Sequence, residues 1–218
     1  GKVFRGRSVL NVGAGLRGNI TEKFSVVAEY YPRPSKFAKA VPGGSTDGAV
    51  ALFRDGGDLC IEYAQDDDTR HANTRRLRQV QARIEREVPG ARAARDSAGR
   101  VTDIAIDHSE FAHLPPEVVA RVVAIMRDEG MEATVSSIHI NGWFGSHDKR
   151  SGARWIVRRL LGRDVEAERD RWVYVGDSTN DQLMFEHYPL SVGVANLMRF
   201  ADQLTVWPAW VTRAERGR

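Results

Sequence analysis

The sequence predicts an α/β fold in which a compact α+β unit is followed by a segment with parallel strands. From residue 149 onward, the pattern reads helix, strand, short helix and strand over 150–161, 172–175, 181–187 and 190–194. That alternation is typical of a parallel sheet. Between residues 49 and 140 the order is strand, strand, helix, strand, strand, helix, strand, which indicates an α+β unit. At 218 residues the chain is long enough for one large domain or two small ones.

The first 45 residues differ from the rest, with eight Lys or Arg, two Glu and no Asp. A strand at Ser8–Val12 runs into the G-x-G-x-x-G turn Gly13–Gly18, and a second strand, Phe24–Ala28, ends on Glu29. An acid at that point can accept ribose hydroxyls. This piece resembles the first motif of class I S-adenosylmethionine methyltransferases or a short dinucleotide fold. A glycine-rich turn between two strands explains it equally well.

Two strands are predicted after a loop at 30–46, at Ala49–Phe53 and Leu59–Tyr63. Cys60 is the only cysteine, so no intrachain disulfide can form and a reducing cytosol is expected. Because it lies in an apolar strand pattern, we expect Cys60 to be a buried, inert thiol.

A long helix is predicted after the acidic run at Asp66–Asp68, with Leu77, Val80, Ile84 and Val88 on one face. Asp68 or Thr69 is the expected N-cap, and the acidic run is attributed to capping rather than to metal binding. The same helix carries Arg75, Arg76, Arg78, Arg83 and Arg86. We interpret these arginines as a solvated face; the alternatives are contacts with nucleic acid or an acidic partner.

Further strands are predicted at 91–95, at 101–107 and over Ala133–Ile140. In the second of them, alternation places Ile104 and Ile106 on one face and Asp103 and Asp107 on the other. Between the last two strands lies a helix that opens at Pro115-Pro116 and ends at Gly130. Its apolar stripe comprises Val118, Val119, Val122, Val123 and Met126.

The most informative stretch runs from Trp172 to Asp181, where a strand ends on Gly176 and carboxylates follow at Asp177 and Asp181. Ligands of open α/β sheets bind at the carboxyl ends of the strands. Two carboxylates there suit Mg²⁺, which prefers oxygen ligands and keeps several waters. The alternative is a polar strand-to-helix turn in which Asp181 caps the helix.

Lys149 opens the helix that precedes this strand. Phosphoryl transfer needs a cation to offset phosphate charge and carboxylates to hold Mg²⁺. The order of Lys149, Asp177 and Asp181 along the chain therefore predicts a phosphoryl-transfer site.

Residues 49–213 resemble haloacid-dehalogenase-superfamily (HAD) hydrolases of subfamily IIB, the sucrose-phosphatase-like and mannosyl-3-phosphoglycerate-phosphatase-like group. The resemblance depends on Val175–Asp181, on the downstream Ser191–Asn196, on Lys149 and on the strands Asp103–Asp107 and Val135–Trp143. It implies a Rossmann-like core, incomplete in this chain, with an inserted α+β cap. The predicted boundaries are 1–57 for the atypical amino-terminal part of the core, 58–140 for the cap and 141–218 for the rest of the core.

The resemblance also implies roles for individual residues. Lys149 would be the catalytic cation that neutralises the phosphoryl group, and Asp177 would ligate Mg²⁺. Asp181 would help to hold the metal or orient Lys149. The expected substrate-binding residues are Ser178 and Asn180 on the loop, and His139, Asn141 and Trp143 near the end of the cap. A satisfied strand histidine and a packing tryptophan are the alternatives for His139 and Trp143.

One departure from the family pattern concerns the nucleophile. Such enzymes attack phosphate with the first Asp of an Asp-x-Asp motif on the first strand. Here the first aspartate is Asp47, followed by Gly48-Ala49, and no such motif precedes it. A carboxylate nucleophile is required for that covalent route. We therefore expect a Mg²⁺-dependent phosphohydrolase of phosphorylated sugars or sugar-acids that is impaired or inactive in this chain. Binding of S-adenosylmethionine or a dinucleotide, and non-catalytic binding of phosphate and Mg²⁺, remain as alternatives.

The bulk properties predict the partners and the location. The net charge is +3, the composition is 42% hydrophobic and 28% charged, and no run of 18 apolar residues occurs. The amino terminus has no apolar core of a signal peptide. We expect a cytoplasmic protein whose partner is a small phosphorylated metabolite, and which binds neither nucleic acid nor membranes.

Overall fold

The structure is a computed structural model and describes residues 8–11, 48–55 and 58–213. The predictions for Gly13–Gly18, Phe24–Ala28 and Glu29 lie outside the described residues.

The described residues form ten strands and four α-helices, and most of them follow the order that the sequence predicts. The strands are β1 (Ser8–Asn11), β2 (Val50–Asp55), β3 (Asp58–Tyr63), β4 (Arg92–Ala93), β5 (Asp103–Asp107), β6 (Glu132–Val135), β7 (His139–Trp143), β8 (Trp172–Gly176), β9 (Ser191–Gly193) and β10 (Trp210–Val211). The α-helices are α1 (Asp67–Glu87), α2 (Pro116–Asp128), α3 (Lys149–Leu161) and α4 (Gln182–His187). Short 3₁₀ turns span Ser97–Gly99, Arg169–Arg171, Thr179–Asp181 and Ala195–Gln203.

A parallel sheet with the order β1-β8-β9-β10 forms the first layer, and each of its pairs is parallel. The predicted α/β class is therefore confirmed. On one face Trp172 and Tyr174 of β8 pack with Ile156 of α3 and with Phe185 and Tyr188. This apolar contact holds α3 and α4 against the strand whose carboxyl end carries the predicted site.

Strands β2 and β3 form an antiparallel hairpin that is a two-stranded sheet of its own. Both strands were predicted at these positions. Cys60 on β3 is only partly buried, so the prediction of a buried thiol is wrong. The hairpin is joined to neither four-stranded sheet, so fewer neighbours cover its side chains than cover those of a central strand. This explains the partial exposure of Cys60.

Between this hairpin and α3 lies the α+β unit, which comprises α1 to β7. Its sheet has the order β4-β5-β7-β6, and all three pairs are antiparallel. Helices α1 and α2 cover one face, where Leu77, Ile84, Val122, Ile106 and Ile140 form the core. The predicted stripes of both helices thus pack against the isoleucines of β5 and β7.

The single strand predicted over Ala133–Ile140 is wrong, because the chain forms β6 and β7 with a tight turn between them. The Ser136 N–H and hydroxyl both donate to the His139 carbonyl, at 2.8 and 3.0 Å. The His139 N–H donates back to Ser136 Oγ at 3.1 Å. Local hydrogen bonds of a serine to the backbone compete with a continuing strand, and here they reverse the chain.

Helix α1 begins earlier than predicted. Asp66, rather than Asp68 or Thr69, is the N-cap, and its carboxylate accepts the Thr69 N–H at 2.9 Å. Arg83 bonds Glu87 and Glu129, which agrees with a solvated, ion-paired arginine face. No helix in the described part of the chain has the length and apolar composition needed to cross a bilayer.

Candidate functional site

The loop after β8 turns sharply because Gly176 leaves room for a carboxylate. A Cβ at Gly176 would lie 2.6 Å from the Asp181 Cγ, closer than real side-chain contacts approach. The next five residues, from Asp177 to Asp181, therefore fold back over the end of the strand. The glycine in the sequence motif is explained by this close approach.

Asp181 is fully buried and both of its carboxylate oxygens accept hydrogen bonds from the chain. The Lys149 ammonium and the Tyr174 hydroxyl donate to Oδ1 at 2.6 and 2.5 Å. The Asp177 and Ser178 N–H groups donate to Oδ2 at 2.8 and 3.0 Å. The alternative of a helix cap holds in part. Asp181 occupies the N-cap position of α4 without a side-chain capping bond there, and its carboxylate accepts the Ser178 N–H in the capping box of the 3₁₀ turn Thr179–Asp181.

Lys149 stands at the first position of α3, which a capping box fixes in place. The Asp148 carboxylate accepts the Ser151 N–H at 2.6 Å, and Ser151 Oγ accepts the Asp148 N–H at 2.8 Å. The helix dipole disfavours a cation at the amino terminus of a helix. Here the ammonium is compensated by Asp181 and by Asn180, whose Oδ1 it reaches at 3.0 Å.

Asp177 is half-buried and lies on the same loop as Asp181. The Asn196 amide donates to its carbonyl and to Oδ2 at 3.2 and 3.3 Å. Burial raises the pKa of Asp177, and the neighbouring Asp181 charge raises it further. A carboxylate whose charge is disfavoured in this way gains from a nearby cation.

The donor set around Asp177 fits Mg²⁺. Mg²⁺ usually binds through one or two carboxylates and retains waters, and Asp177 supplies one such oxygen ligand. Among the residues that the structure describes, no group of three or more His, Cys, Asp or Glu side chains is placed to hold a metal ion. Since both Asp181 oxygens are occupied by donors, the geometry favours Asp181 as the partner that orients Lys149.

The small loop residues between the two aspartates bond within the site. The Ser178 hydroxyl donates to Asn180 Oδ1 at 2.7 Å, the same oxygen that Lys149 reaches. Thr179 donates to the Val135 carbonyl of β6 at 3.0 Å. The loop is thus tied both to the lysine and to the α+β unit.

The predicted residues of the α+β unit all lie on β7 and are buried. His139 Nε2 lies 3.1 Å from Glu110 Oε2. The Trp143 indole N–H donates to the His147 carbonyl at 2.9 Å, so this side chain anchors the return of the chain towards α3. Asn141 is fully buried, and neither its Nδ2 nor its Oδ1 has a hydrogen-bond partner among the residues that the structure describes.

Strand β1 lies next to β8 in parallel register, with Asn11 opposite Val175. The carboxyl end of β1 therefore opens on the same edge of the sheet as Asp177. The strand that the resemblance expects to carry the nucleophile is thus adjacent to the site, and its last residue is an asparagine.

Three site residues were missed at the sequence level. Tyr174 and Thr179 belong to the stretch Trp172–Asp181, but strand and loop patterns do not reveal that their hydroxyls bond Asp181 and Val135. Glu110 lies in an irregular segment 29 residues before His139. Their partners are distant in sequence, and no local signal marks them.

Solved structures with a similar fold are known. The chain is similar to the crystal structure of Thermoplasma acidophilum 0175, with a TM-score of 0.57, 15% identity and coverage of 88% of this chain and 76% of that one. It is also similar to the sucrose-phosphatase from Synechocystis sp. PCC6803 in complex with sucrose and phosphate. That match has a TM-score of 0.54 and 15% identity, and it covers 79% of this chain and 68% of that one.

No family model matches the sequence, and no curated protein matches it significantly. At 15% identity the structural likeness concerns the fold. The predicted resemblance to the sucrose-phosphatase-like group is confirmed for the fold alone, since the chain is similar in fold to that sucrose-phosphatase.

Proposed function

We propose that this chain is a HAD-type phosphohydrolase module that binds Mg²⁺ and the phosphoryl group of a phosphorylated sugar or sugar-acid. The observation that carries the proposal is the placement of the Lys149 ammonium 2.6 Å from Asp181, with Asp177 on the same loop. A buried cation next to carboxylates at the end of a parallel strand is what an anionic ester and a divalent cation require. The phosphatase fold supports it.

Each residue has a stated task in this proposal. Lys149 offsets the charge of the phosphoryl oxygens, and Asp181 with Asn180 keeps the ammonium directed at them. Asp177 ligates Mg²⁺, which when bound would draw charge from the phosphoryl oxygens as a Lewis acid. The Ser178 hydroxyl fixes Asn180. The α+β unit serves as the cap that contacts the rest of the substrate, and a cytosolic location is supported by the single cysteine.

We further propose that the 218-residue polypeptide turns over little or no phosphate ester. The covalent route needs a carboxylate nucleophile, and the sequence has no Asp-x-Asp motif before Asp47. The end of β1 supplies Asn11 at that edge of the sheet. An amide is a far weaker nucleophile than a carboxylate, so binding without turnover is the expected behaviour.

Thermal unfolding of the purified chain with and without MgCl₂ and inorganic phosphate tests the binding proposal. A ligand at about 100 times its Kd stabilises a protein by about 2.7 kcal/mol, or roughly 5–10 °C for a chain of this size. We expect the two ligands together to stabilise more than either alone. Asp177→Asn should abolish the Mg²⁺ effect and Lys149→Met the phosphate effect.

Two matched controls separate the site from general charge effects. Asp202→Asn removes an exposed carboxylate, and Arg158→Met removes an exposed cation from the same helix as Lys149. Both should respond to Mg²⁺ and phosphate as the unchanged chain does. A chain that neither ligand stabilises, or equal losses in the control variants, would rule out the proposed site.

A phosphatase assay in Mg²⁺ distinguishes an active enzyme from a non-catalytic binding module. The absence of an Asp-x-Asp motif favours the module, for which ligands stabilise the fold and no phosphate is released. Robust turnover that is lost in Asp177→Asn would show that the polypeptide is an enzyme and that the proposed inactivity is wrong.

A further inference from the structure

Tyr174 lies in the middle of β8, a strand of which all five residues are buried. Strands that are buried on both faces of a parallel sheet consist mostly of Val, Ile and Leu. A tyrosine in such a strand needs a hydrogen-bond partner for its hydroxyl. The partner here is Asp181, whose Oδ1 accepts the Tyr174 hydroxyl at 2.5 Å. Tyr174 thus brings a polar group to the site from the side of the core.

The ring of Tyr174 is held in place by two other aromatic rings. Its plane lies 18° from that of Tyr188, with the ring centroids 6.1 Å apart, and Phe185 contacts it edge-on at 5.8 Å. All three side chains belong to the core that β8 shares with α3. Because protein interiors are close-packed, the ring has little room to move. The position of the Tyr174 hydroxyl is therefore fixed, next to the N-cap residue of α4.

The two oxygens of the Asp181 carboxylate accept from different donors. Oδ2 accepts the backbone N–H groups of Asp177 and Ser178 at 2.8 and 3.0 Å, and these bonds tie the carboxylate to its own loop. Oδ1 accepts the Tyr174 hydroxyl and the Lys149 ammonium. The bonds to Oδ2 resist rotation of the carboxylate. The tyrosine and the lysine therefore share one oxygen whose position is set by the loop.

This shared oxygen affects the positive charge that Lys149 can offer to an anion. The lysine side chain is 7% exposed and the aspartate 0%, so water screens their attraction little. The Tyr174 hydroxyl competes with the ammonium for the negative charge of Oδ1, which weakens the attraction between Asp181 and Lys149. More of the positive charge then remains for a phosphoryl oxygen. Without the hydroxyl, the ammonium would bind the carboxylate more tightly and the anion less tightly.

We propose that Tyr174 is a positioning residue whose hydroxyl shares Asp181 Oδ1 with Lys149 and so keeps the ammonium available to the phosphoryl group. Tyr174 acts through Asp181 and needs no contact with phosphate or Mg²⁺. The inference rests on the proposed function, because it concerns how the same lysine is prepared for its anion.

Tyr188 provides a matched control from the same aromatic cluster. Like Tyr174 it is fully buried, but its hydroxyl has no hydrogen-bond partner among the residues that the structure describes. Tyr174→Phe and Tyr188→Phe therefore remove the same group from two stacked rings, and only the first change removes a bond to Asp181. Both variants keep the ring. A difference between them reports on that bond rather than on the general effect of losing a buried hydroxyl.

Nuclear magnetic resonance of the full chain with ¹⁵N-labelled lysine tests the positioning directly, without any ligand. Lys149 is one of five lysines in the chain, and its ammonium signal is the one that disappears in Lys149→Arg. We expect Tyr174→Phe to shift this signal and Tyr188→Phe to leave it in place. A signal that Tyr174→Phe does not move, or that both tyrosine variants move equally, overturns the inference.

Calorimetric titration with inorganic phosphate and, separately, with MgCl₂ measures the consequence for binding, well below the melting temperature of each variant. Tyr174→Phe should weaken phosphate binding by about threefold or more and leave Mg²⁺ binding within about twofold, because one hydrogen bond to the charged pair is lost. A merely structural role would weaken both ligands, since Asp177 and Asp181 share one loop. Equal losses, or unchanged phosphate affinity, overturn the inference.

The two measurements also separate this inference from the proposed function. If the unchanged chain binds phosphate through Lys149 and Tyr174→Phe changes neither the signal nor the affinity, the proposed function stands and the inference fails. If the unchanged chain binds no phosphate but Tyr174→Phe alone shifts the Lys149 signal, the proposed function has failed and the positioning of Lys149 by Tyr174 stands.

Discussion

Lys149 Nζ and Asp181 Oδ1 lie 2.6 Å apart, although 32 residues separate them in the sequence. The lysine side chain is 7% exposed and the aspartate is fully buried. One partner comes from the start of a helix and the other from the turn after a strand. The pair therefore joins α3 to the end of β8. A substitution of either residue in the site is thus expected to change the free energy of unfolding as well.

Breaking this pair is expected to be costly. Lys149→Met leaves the Asp181 carboxylate buried with its main positive partner removed, and such losses typically cost about 3–5 kcal/mol. Urea unfolding at pH 7 measures the change. The double variant Lys149→Met/Asp181→Leu should lose less than the sum of the two single variants, by roughly 0.5–3 kcal/mol. Strict additivity of the two would mean that the pair does not interact in solution.

A methyl group at Gly176 is expected to displace Asp181. The Gly176→Ala Cβ would lie 2.6 Å from both the Cγ and the Oδ2 of that carboxylate, so the turn has to shift. Overpacking of this kind costs about 1–3 kcal/mol. The loss should appear in the melting temperature and, more steeply, in Mg²⁺-dependent stabilisation. Gly130→Ala, where no atom lies within 4 Å of a new Cβ but φ is +79°, serves as the control for backbone strain and should leave the Mg²⁺ response intact.

Asp107 is expected to make the free energy of unfolding depend on pH under acidic conditions. Burial alone would raise its pKa, but the N–H groups of Glu110, Phe111 and Ala112 outweigh burial, and the pKa is lower than its ordinary 3.8. A lowered folded-state pKa adds stability that is fully present above the unfolded value and is lost as pH falls through the folded one. Asp107→Asn should cost about 1–3 kcal/mol at pH 7 and less below pH 3. Unfolding curves at pH 7, 4 and 2.5 measure this. A constant difference across that range would contradict the assignment.

A carboxylate at the end of β1 is expected to give the chain phosphatase activity. The register of β1 with β8 places Asn11 at the edge of the sheet that carries Asp177, and the covalent route requires a nucleophilic carboxylate. Asn11→Asp should therefore release phosphate from sugar phosphates in Mg²⁺ above the level of the unchanged chain. Adding Lys149→Met to this variant should abolish the gain. No gain in Asn11→Asp would indicate that the end of β1 does not reach the phosphoryl group.

Several elements were predictable because their signals are local. The apolar stripes of α1 and α2, the strand before Gly176 and the helix that starts at Lys149 all depend on spacing within one or two turns. The turn between β6 and β7 was missed because the Ser136 hydroxyl bonds the His139 backbone, and apolar alternation over Ala133–Ile140 does not reveal such bonds. The N-cap of α1 was misplaced by two or three residues for a related reason, since any of four adjacent polar residues can cap.

By itself the sequence determined the α/β class, the order of the elements and the presence of an ammonium and two carboxylates at the right places in the chain. Only the tertiary structure decided that both Asp181 oxygens accept hydrogen bonds, that Glu110 lies beside His139, and that Asn141 is buried with no hydrogen-bond partner in the described part of the chain. The physical reason is that hydrophobic periodicity acts over a few residues. Hydrogen bonds between side chains on different elements depend on how packed layers bring distant parts of the chain together.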